Sequence, residues 1–335
     1  MKNVLLHAAA SVCTRTVTLA ALTLTTAGLL LASNAHAQPY PNKPVKFIIG
    51  FAAGGPTDVI ARVIAQDMTQ TLGQSVVVEN RPGANTLVGS ELVVKSPPDG
   101  YTLIVLPNAI TINPHLYRKM PFDVVKDLAP VTQIGTSPTI LVVHPSLPVR
   151  SMKDFLALAR AKPNMLTNGS SGNGSLGHLA GAMLGVMTGT SLIHVPYKGT
   201  ALVVTELIGG QIDLSFASAL TVVQHIRSGR LRAIAVTSAR RSPAVAEVPA
   251  IAETVAGFSA ELWYALFAPA NTPPDIISRL NREITAILAQ PDIKEKLADQ
   301  GVDALTGTQQ EMVKLIASDL EKWGKVVKAT GVTIN

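Results

Sequence analysis

Residues 45–58 read VKFIIGFAAGGPTD, and their order decides the fold. VKFIIG (45–50) reads as a buried strand. Gly50 to Gly55 forms a loop with almost no bulky side chains. Thr57 to Leu72 reads as a helix, with Val59, Ile60, Val63, Ile64 and Met68 on one face. A strand that feeds a helix through such a loop opens a β-α-β unit. The rhythm continues outward: SVVVEN (75–80) reads as a strand, 85–95 as a helix, and YTLIVL (101–106) as a strand after the Pro97-Pro98-Asp99-Gly100 turn. This pattern predicts a parallel sheet with helices on both faces.

The middle of the chain starts the rhythm again. Ser151 and Asp154 open a helix that ends near Pro163, and MLTN (165–168) reads as a strand before a Gly/Ser loop. A helix over 175–188, a strand LIHV (192–195), a helix over 200–208 and strands at 213–217 and 231–238 follow. The last third returns to helices at 274–289, 292–300 and 308–328. Two long apolar runs, 131–143 and 261–268, are candidates for connections between lobes. The expected architecture is α/β with two lobes, residues 38–138 plus 260–335 forming the first and 139–259 inserted as the second. No short fixed-period repeat is present, which excludes a solenoid.

Composition narrows the function. The chain has 335 residues, 47% hydrophobic and 15% charged, with a net charge of +6 and one cysteine. It is too apolar for a disordered chain and lacks the basic blocks of a nucleic-acid tail. One cysteine excludes a disulfide framework and a cysteine-rich metal site. Residues 1–37 read as a signal peptide: Lys2 and Arg15 supply a basic start, Val17–Leu31 an apolar core, and Ala35-His36-Ala37 a cleavage pattern. Cys13 precedes the apolar core and so is not a lipoprotein cysteine. Removing this segment leaves a cysteine-free, exported chain of 298 residues with charge +4, beginning at Gln38.

Two loops carry the chemistry. Gly50-Phe51-Ala52-Ala53-Gly54-Gly55-Pro56-Thr57-Asp58 and Asn168-Gly169-Ser170-Ser171-Gly172-Asn173-Gly174-Ser175-Leu176-Gly177-His178 both lie between a strand's carboxyl end and a helix's amino end. Exposed backbone N–H groups and the helix dipole favour an anion there, and Thr57, Ser170, Ser171 and Ser175 add hydroxyls. Each loop alone is equally a capped helix start, with Thr57 and Ser175 as caps. Two of them in equivalent places point to a ligand held between lobes. Gly172-Asn173-Gly174-Ser175-Leu176-Gly177 matches the dinucleotide fingerprint G-x-G-x-x-G, but no acid ends the next strand to grip a ribose.

No constellation supports catalysis. The serines lack a G-x-S-x-G elbow, and His115, His144, His194 and His225 are scattered without metal spacing. His178 reads as a capping, hydrogen-bonding or packing residue, Asp58 as a first-turn acid, and Asp213 as a turn residue at least as readily as a site residue. The expectation is no enzyme, no metal and no cofactor. An exported hydrolase using a cleft serine is the reading kept from another class.

Several motifs resemble one family. Tyr40-Pro41-Asn42-Lys43-Pro44-Val45, the Gly50–Asp58 loop, Val78-Glu79-Asn80-Arg81-Pro82-Gly83-Ala84 and Pro98-Asp99-Gly100-Tyr101-Thr102-Leu103 are similar to Bug/TctC solute-binding proteins of tripartite tricarboxylate transporters. So are His194-Val195-Pro196-Tyr197-Lys198-Gly199 and Gly209-Gly210-Gln211-Ile212-Asp213. The resemblance implies a type II periplasmic binding protein, two α/β lobes closing on a ligand. It implies a periplasmic receptor for a small organic carboxylate (a di- or tricarboxylate, an acidic amino acid or an aromatic acid) held by amides and hydroxyls. The partners it implies are inner-membrane permease subunits, with a ligand sensor for a signalling partner as the alternative; a monomer and no nucleic acid are expected. Carried over by motif, Phe51, Ala53, Gly54, Gly55, Thr57 and Asp58 would line one half-site. Ser170, Ser171, Gly172, Ser175 and His178 would line the other, with Tyr197, Lys198 and Asp213 near the mouth. Tyr197-Lys198 reads equally well as a solvated turn. Pro56 and Asn85-Thr86-Leu87 stand where the family varies.

Overall fold

The computed structural model describes residues 40–242 and 245–334. The signal-peptide segment lies outside the described residues. All strands and helices belong to one body that begins at Lys43. They form two mixed sheets, each flanked by helices, and this is the two-lobed α/β fold of a type II periplasmic binding protein.

The first sheet begins with β1 (Val45–Ile49), β2 (Val76–Asn80) and β3 (Thr102–Pro107), joined by α1 (Pro56–Leu72) and α2 (Leu87–Val94). Both β2 and β3 pair with β1 in parallel. α3 (Ala109–Leu116) follows β3, and the chain then runs through β4 (Leu128–Ser137). β10 (Leu262–Pro269) inserts antiparallel between β3 and β4, and the short β11 (Asp303–Ala304) closes the edge. The strand order is β11-β4-β10-β3-β1-β2. The central strands are buried on both faces, which explains their near-continuous apolar runs.

The second sheet is built from β5 (Thr139–Val143), β6 (Thr167–Ser170), β7 (Ile193–Pro196), β8 (Leu214–Ser218) and β9 (Arg232–Val236), in the order β7-β6-β8-β5-β9. β6, β7 and β8 are parallel, whereas β5 is antiparallel to both its neighbours. Around it lie α4 (Met152–Ala161), α5 (Leu176–Thr188), α6 (Thr200–Ile208) and α7 (Ala219–Arg227). The expected all-parallel pairing therefore holds for the strands linked by crossover helices and fails at β5 and β10. These two strands follow the chain's passages between sheets, so their direction is set by the passage and not by a crossover.

The passages are short and hydrogen-bonded. Only Pro138 separates β4 from β5, and the Pro138 carbonyl accepts the Ala219 N–H at 2.9 Å. On the return, Thr237 Oγ1 donates to the Ala260 carbonyl at 2.7 Å and the Ala260 N–H donates to the Thr237 carbonyl at 2.9 Å. The chain ends in α8 (Pro274–Ala289), α9 (Pro291–Asp299) and α10 (Gln309–Thr330). α10 starts with a capping box between Thr308 and Glu311. Its Met312 and Ile316 pack with Trp263 and Phe267 of the first sheet. Further along, Trp323 and Val327 join Ile112 and Leu116 of α3 and Leu179 and Leu184 of α5 in one core. This helix thus ties the two lobes together along a continuous apolar stripe.

Candidate functional site

Both glycine-rich loops are built on the same local device. In the first, Gly55 is the N-cap of α1 with no side-chain cap, and Pro56 occupies the first helical position. Gly54, at φ 81°, turns the chain into the helix. The Asp58 carboxylate, three residues past the cap, reaches back and accepts the Gly54 N–H at 2.9 Å. In the second loop Ser175 is the N-cap of α5, and Gly174 has φ 73°. Here the side chain three residues past the cap is His178, whose Nδ1 accepts the Gly174 N–H at 3.1 Å. Each loop is therefore locked by a side chain from its own helix onto a left-handed glycine.

The locks leave the right groups open. The first bond of α1 runs from the Val59 N–H to the Gly55 carbonyl, so the Thr57 and Asp58 N–H groups have no partner among the described residues. In α5 the Ser175 hydroxyl takes the His178 N–H and the Leu179 N–H bonds the Ser175 carbonyl, leaving those of Leu176 and Gly177. Helix N-termini with uncommitted N–H groups attract a carboxylate or phosphate oxygen.

Asp58 is the more heavily fastened lock. It is 2% exposed and also accepts Arg62 Nε at 2.9 Å and Asn80 Nδ2 at 2.9 Å. Burial alone would raise its pKa, but the hydrogen bonds from Arg62, Gly54 and Asn80 and the Arg62 charge outweigh it and hold the carboxyl low. Asn80 Nδ2 also donates to the Phe51 carbonyl at 3.1 Å, fixing the loop's other end. Beside this loop the backbone at Ala84, Asn85 and Thr86 has positive φ, and Asn85 and Asn113 clasp each other through two hydrogen bonds of 2.7 and 2.8 Å.

Beside the second loop the rings of His178 and His194, the latter on β7, stack at 3.5 Å and nearly parallel. Burial, and after it the neighbouring His194, pushes the His178 pKa down to about 4; burial also lowers that of His194. Both are neutral at pH 7. His194 Nε2 lies 2.6 Å from Ser170 Oγ. This contact does not make a nucleophile. Ser170 is 2% exposed, its hydroxyl donates to the Gly172 carbonyl at 2.9 Å, and no carboxylate among the described residues bonds His194. The hydroxyl proton is spent, so His194 Nε2–H is the donor.

The expected site residues divide accordingly. Phe51, Ala53, Gly54, Gly55, Thr57 and Asp58 sit on the first loop, with Thr57 buried and Asp58 turned inward as the lock. Ser171 is exposed, Ser175 is the cap, and Gly172 lies against the Tyr197 backbone. Ser170 belongs to β6, two residues beyond the expected strand end, and its side chain is internal. The Tyr197 N–H bonds the Ser170 carbonyl at 2.9 Å, while Lys198 is exposed. Asp213 is placed elsewhere. Its carboxylate accepts the Thr167 N–H and Oγ1 at 2.8 Å each, at the amino end of β6, opposite the loop. His194 stands apart from the other site residues in the sequence, yet parallel pairing of β6 with β7 sets it beside Asn168. Among the described residues no group of three His, Cys, Asp or Glu side chains is placed to hold a metal.

Two lobes, each offering a locked helix N-terminus at the carboxyl end of its first parallel strand, define a solute-binding protein. Residues 60–332 match the model of the tripartite tricarboxylate transporter family receptor, and the chain belongs to that family, known also as TctC/Bug. The structure of Rpa4515 from R. palustris with adipate is 35% identical, with a TM-score of 0.81, covering 88% of this chain and 99% of that one. The periplasmic binding protein BugD is 31% identical, with a TM-score of 0.78 and coverage of 88% and 99%. MatC from Rhodopseudomonas palustris with bound malate is 29% identical, with a TM-score of 0.74 and coverage of 86% and 100%.

Proposed function

We propose that this receptor captures a small organic carboxylate in the periplasm, with a dicarboxylate as the favoured class, and delivers it to the membrane subunits of a tripartite tricarboxylate-type transporter. The observation that carries the reading is the pair of equivalent N-termini, α1 and α5, each with two uncommitted N–H groups. One carboxylate at each N-terminus uses both lobes at once, so ligand stabilises the closed arrangement over the open one. Adipate in one relative and malate in another support the dicarboxylate class.

The energetics need no cation. N–H bonds to a charged acceptor contribute about 1.5–3 kcal/mol each, so four of them supply roughly 6–12 kcal/mol, a range that spans the roughly 8 kcal/mol of micromolar binding before the association cost is met. Thr57, Ser171, Ser175 and the backbone of Phe51, Ala53, Gly55 and Gly172 complete the proposed lining, with Tyr197 and Lys198 at its rim. The moving bodies are residues 38–138 with 260–335 and residues 139–259, joined at Pro138 and at Ala260-Glu261. In this reading residues 1–37 direct export, and the periplasmic form starts at Gln38.

Calorimetry with adipate, malate, citrate and aspartate tests the proposal. At least one binds at micromolar concentration, and the double variant Thr57→Ala/Ser171→Ala weakens it about tenfold without lowering the melting temperature. Absence of heat with all four ligands would overturn it.

A further inference from the structure

Adjacent turns of one short helix, α3, touch the loops of both half-sites. We propose that α3 is a ruler that fixes the distance between the half-sites and so selects the length of the bound diacid, with Asn113 and Leu116 as its positioning residues. The inference rests on the carboxylate reading and adds what discriminates among dicarboxylates.

The first contact reaches the first loop through a neighbouring turn. Asn113 is fully buried on α3, where its Nδ2 donates to the Asn85 carbonyl at 2.8 Å and its Oδ1 accepts Asn85 Nδ2 at 2.7 Å. Asn85 stands between Ala84 and Thr86 in a run of left-handed residues, a shape that non-glycine residues keep only where their surroundings impose it. Thr86 sits directly on Gly50: a Cβ on that glycine would stand 2.7 Å from Thr86 Cβ and 2.8 Å from Thr86 Cα. Gly50 opens the loop that leads to the uncommitted N–H groups of Thr57 and Asp58.

The second contact is direct. Leu116 lies one turn beyond Asn113, about 4.5 Å along the helix axis. A Cβ on Gly174 of the second loop would stand 2.3 Å from Leu116 Cδ1 and 2.8 Å from Ile334 Cδ1, so both side chains already rest on the glycine backbone. Gly174 is the glycine that His178 locks, just ahead of the Ser175 cap and the N-terminus of α5. Leu116 and Ile334 belong to one of the proposed moving bodies and Gly174 to the other. Their contact leaves no gap to take up, and it is therefore a stop to closure.

The ruler is stiff at both ends. Pro114 restrains the backbone between the two contacts, and the Leu116 carbonyl accepts the Ile334 N–H at 3.1 Å. Ile110 anchors α3 among the first-sheet side chains, while Ile112 and Leu116 anchor it in the core shared with α5. One methylene more or fewer moves the far carboxylate of a diacid by about 1 Å, whereas the useful range of an N–H···O distance spans about 0.5 Å. At a fixed spacing a shorter diacid cannot reach both N-termini, and a longer one must bend.

Calorimetry with malonate, succinate, glutarate, adipate and pimelate reads the length profile. The wild-type protein favours one length, with affinity at least about tenfold lower two methylenes away. Leu116→Ala removes the stop and moves the optimum to a shorter acid. Asn113→Ala cuts both bonds to Asn85 and brings the series within about threefold. Ile334→Ala, at a half-buried position, and Asn85→Gly, which keeps the left-handed turn, act in the same two directions and serve if a core variant does not fold. A side chain that only stabilises the fold would lower every affinity by one factor and leave the optimum in place. A flat wild-type profile, an unmoved optimum in the stop variants, or an unchanged profile in the clasp variants would overturn the ruler. A wild-type protein that binds none of the series is a different failure, which removes the dicarboxylate reading and the ruler with it.

Discussion

Asp58→Asn isolates the lock of the first loop with almost no change in volume. The carboxylate accepts from Gly54 N–H and Arg62 Nε on Oδ2 and from Asn80 Nδ2 on Oδ1, each at 2.9 Å. An asparagine offers one oxygen, so its amide nitrogen must face a donor. Asn80 cannot turn to compensate without losing the Phe51 carbonyl and the bond from Arg62 to its own Oδ1. One charge-assisted bond lost at about 1.5–3 kcal/mol and one donor left unpaired at about 1–3 kcal/mol give a destabilisation of roughly 3 kcal/mol. Arg62 is half-exposed and returns to water, adding little. The urea midpoint, read from the fluorescence of the buried Trp263 and Trp323, then falls by about 1 M. Because the folded pKa of Asp58 is depressed, its contribution is present above about pH 4 and lost as pH falls through the lower folded value. The variant lacks this acid limb. Loosening the loop also weakens carboxylate binding about tenfold. An unchanged midpoint together with unchanged affinity would refute the reasoning.

Three further variants probe the same device. Gly54→Ala meets nothing within 4 Å and costs only its left-handed backbone, about 1 kcal/mol, whereas Gly174→Ala drives a Cβ to 2.3 Å from Leu116 Cδ1 and 2.8 Å from Ile334 Cδ1. Urea unfolding therefore shows the second variant less stable than the first by roughly 2 kcal/mol; equal losses would contradict this. His178 stays neutral in the fold, with a pKa pushed down to about 4, so the unfolded chain binds more protons below about pH 6.5 and stability falls with pH in that window. His178→Asn keeps an acceptor for Gly174 and flattens the slope between about pH 6.5 and 5; an unchanged slope would remove His178 from the account. Asp213→Ala loses two bonds from Thr167 and lowers thermal stability, yet leaves the affinity of the folded protein within about twofold. A large loss of affinity would place Asp213 at the site after all.

Much of this was legible in the sequence, for physical reasons that vary by element. Strands β1 and β3 declare themselves because deep burial demands apolar runs, and the edge strand β2 through its β-branched Val76-Val77-Val78. The two loops are visible because glycine, alanine and serine are concentrated between a strand and a helix. Capping by Ser175 was open to reading, but the reach of Asp58 and His178 back to Gly54 and Gly174 depends on rotamers that no spacing displays. β6 begins and ends two residues later than MLTN suggests, because Asn168-Gly169-Ser170 look like a turn and pair only through β7 and β8. That shift converts Ser170 from a loop hydroxyl into an internal one. α3 has no clear sequence signal because Pro114 lies inside it, near its end. The antiparallel sense of β5 and β10 follows from where the chain crosses between sheets, a tertiary fact.

The account stands on backbone amides from both lobes holding one ligand. The crystal structure of the protein saturated with adipate tests that most directly. Carboxylate oxygens should lie within about 3 Å of the amide nitrogens of Thr57 or Asp58 at one end and of Leu176 or Gly177 at the other. Adipate gripped by lysine or arginine, or touching one lobe alone, would contradict it.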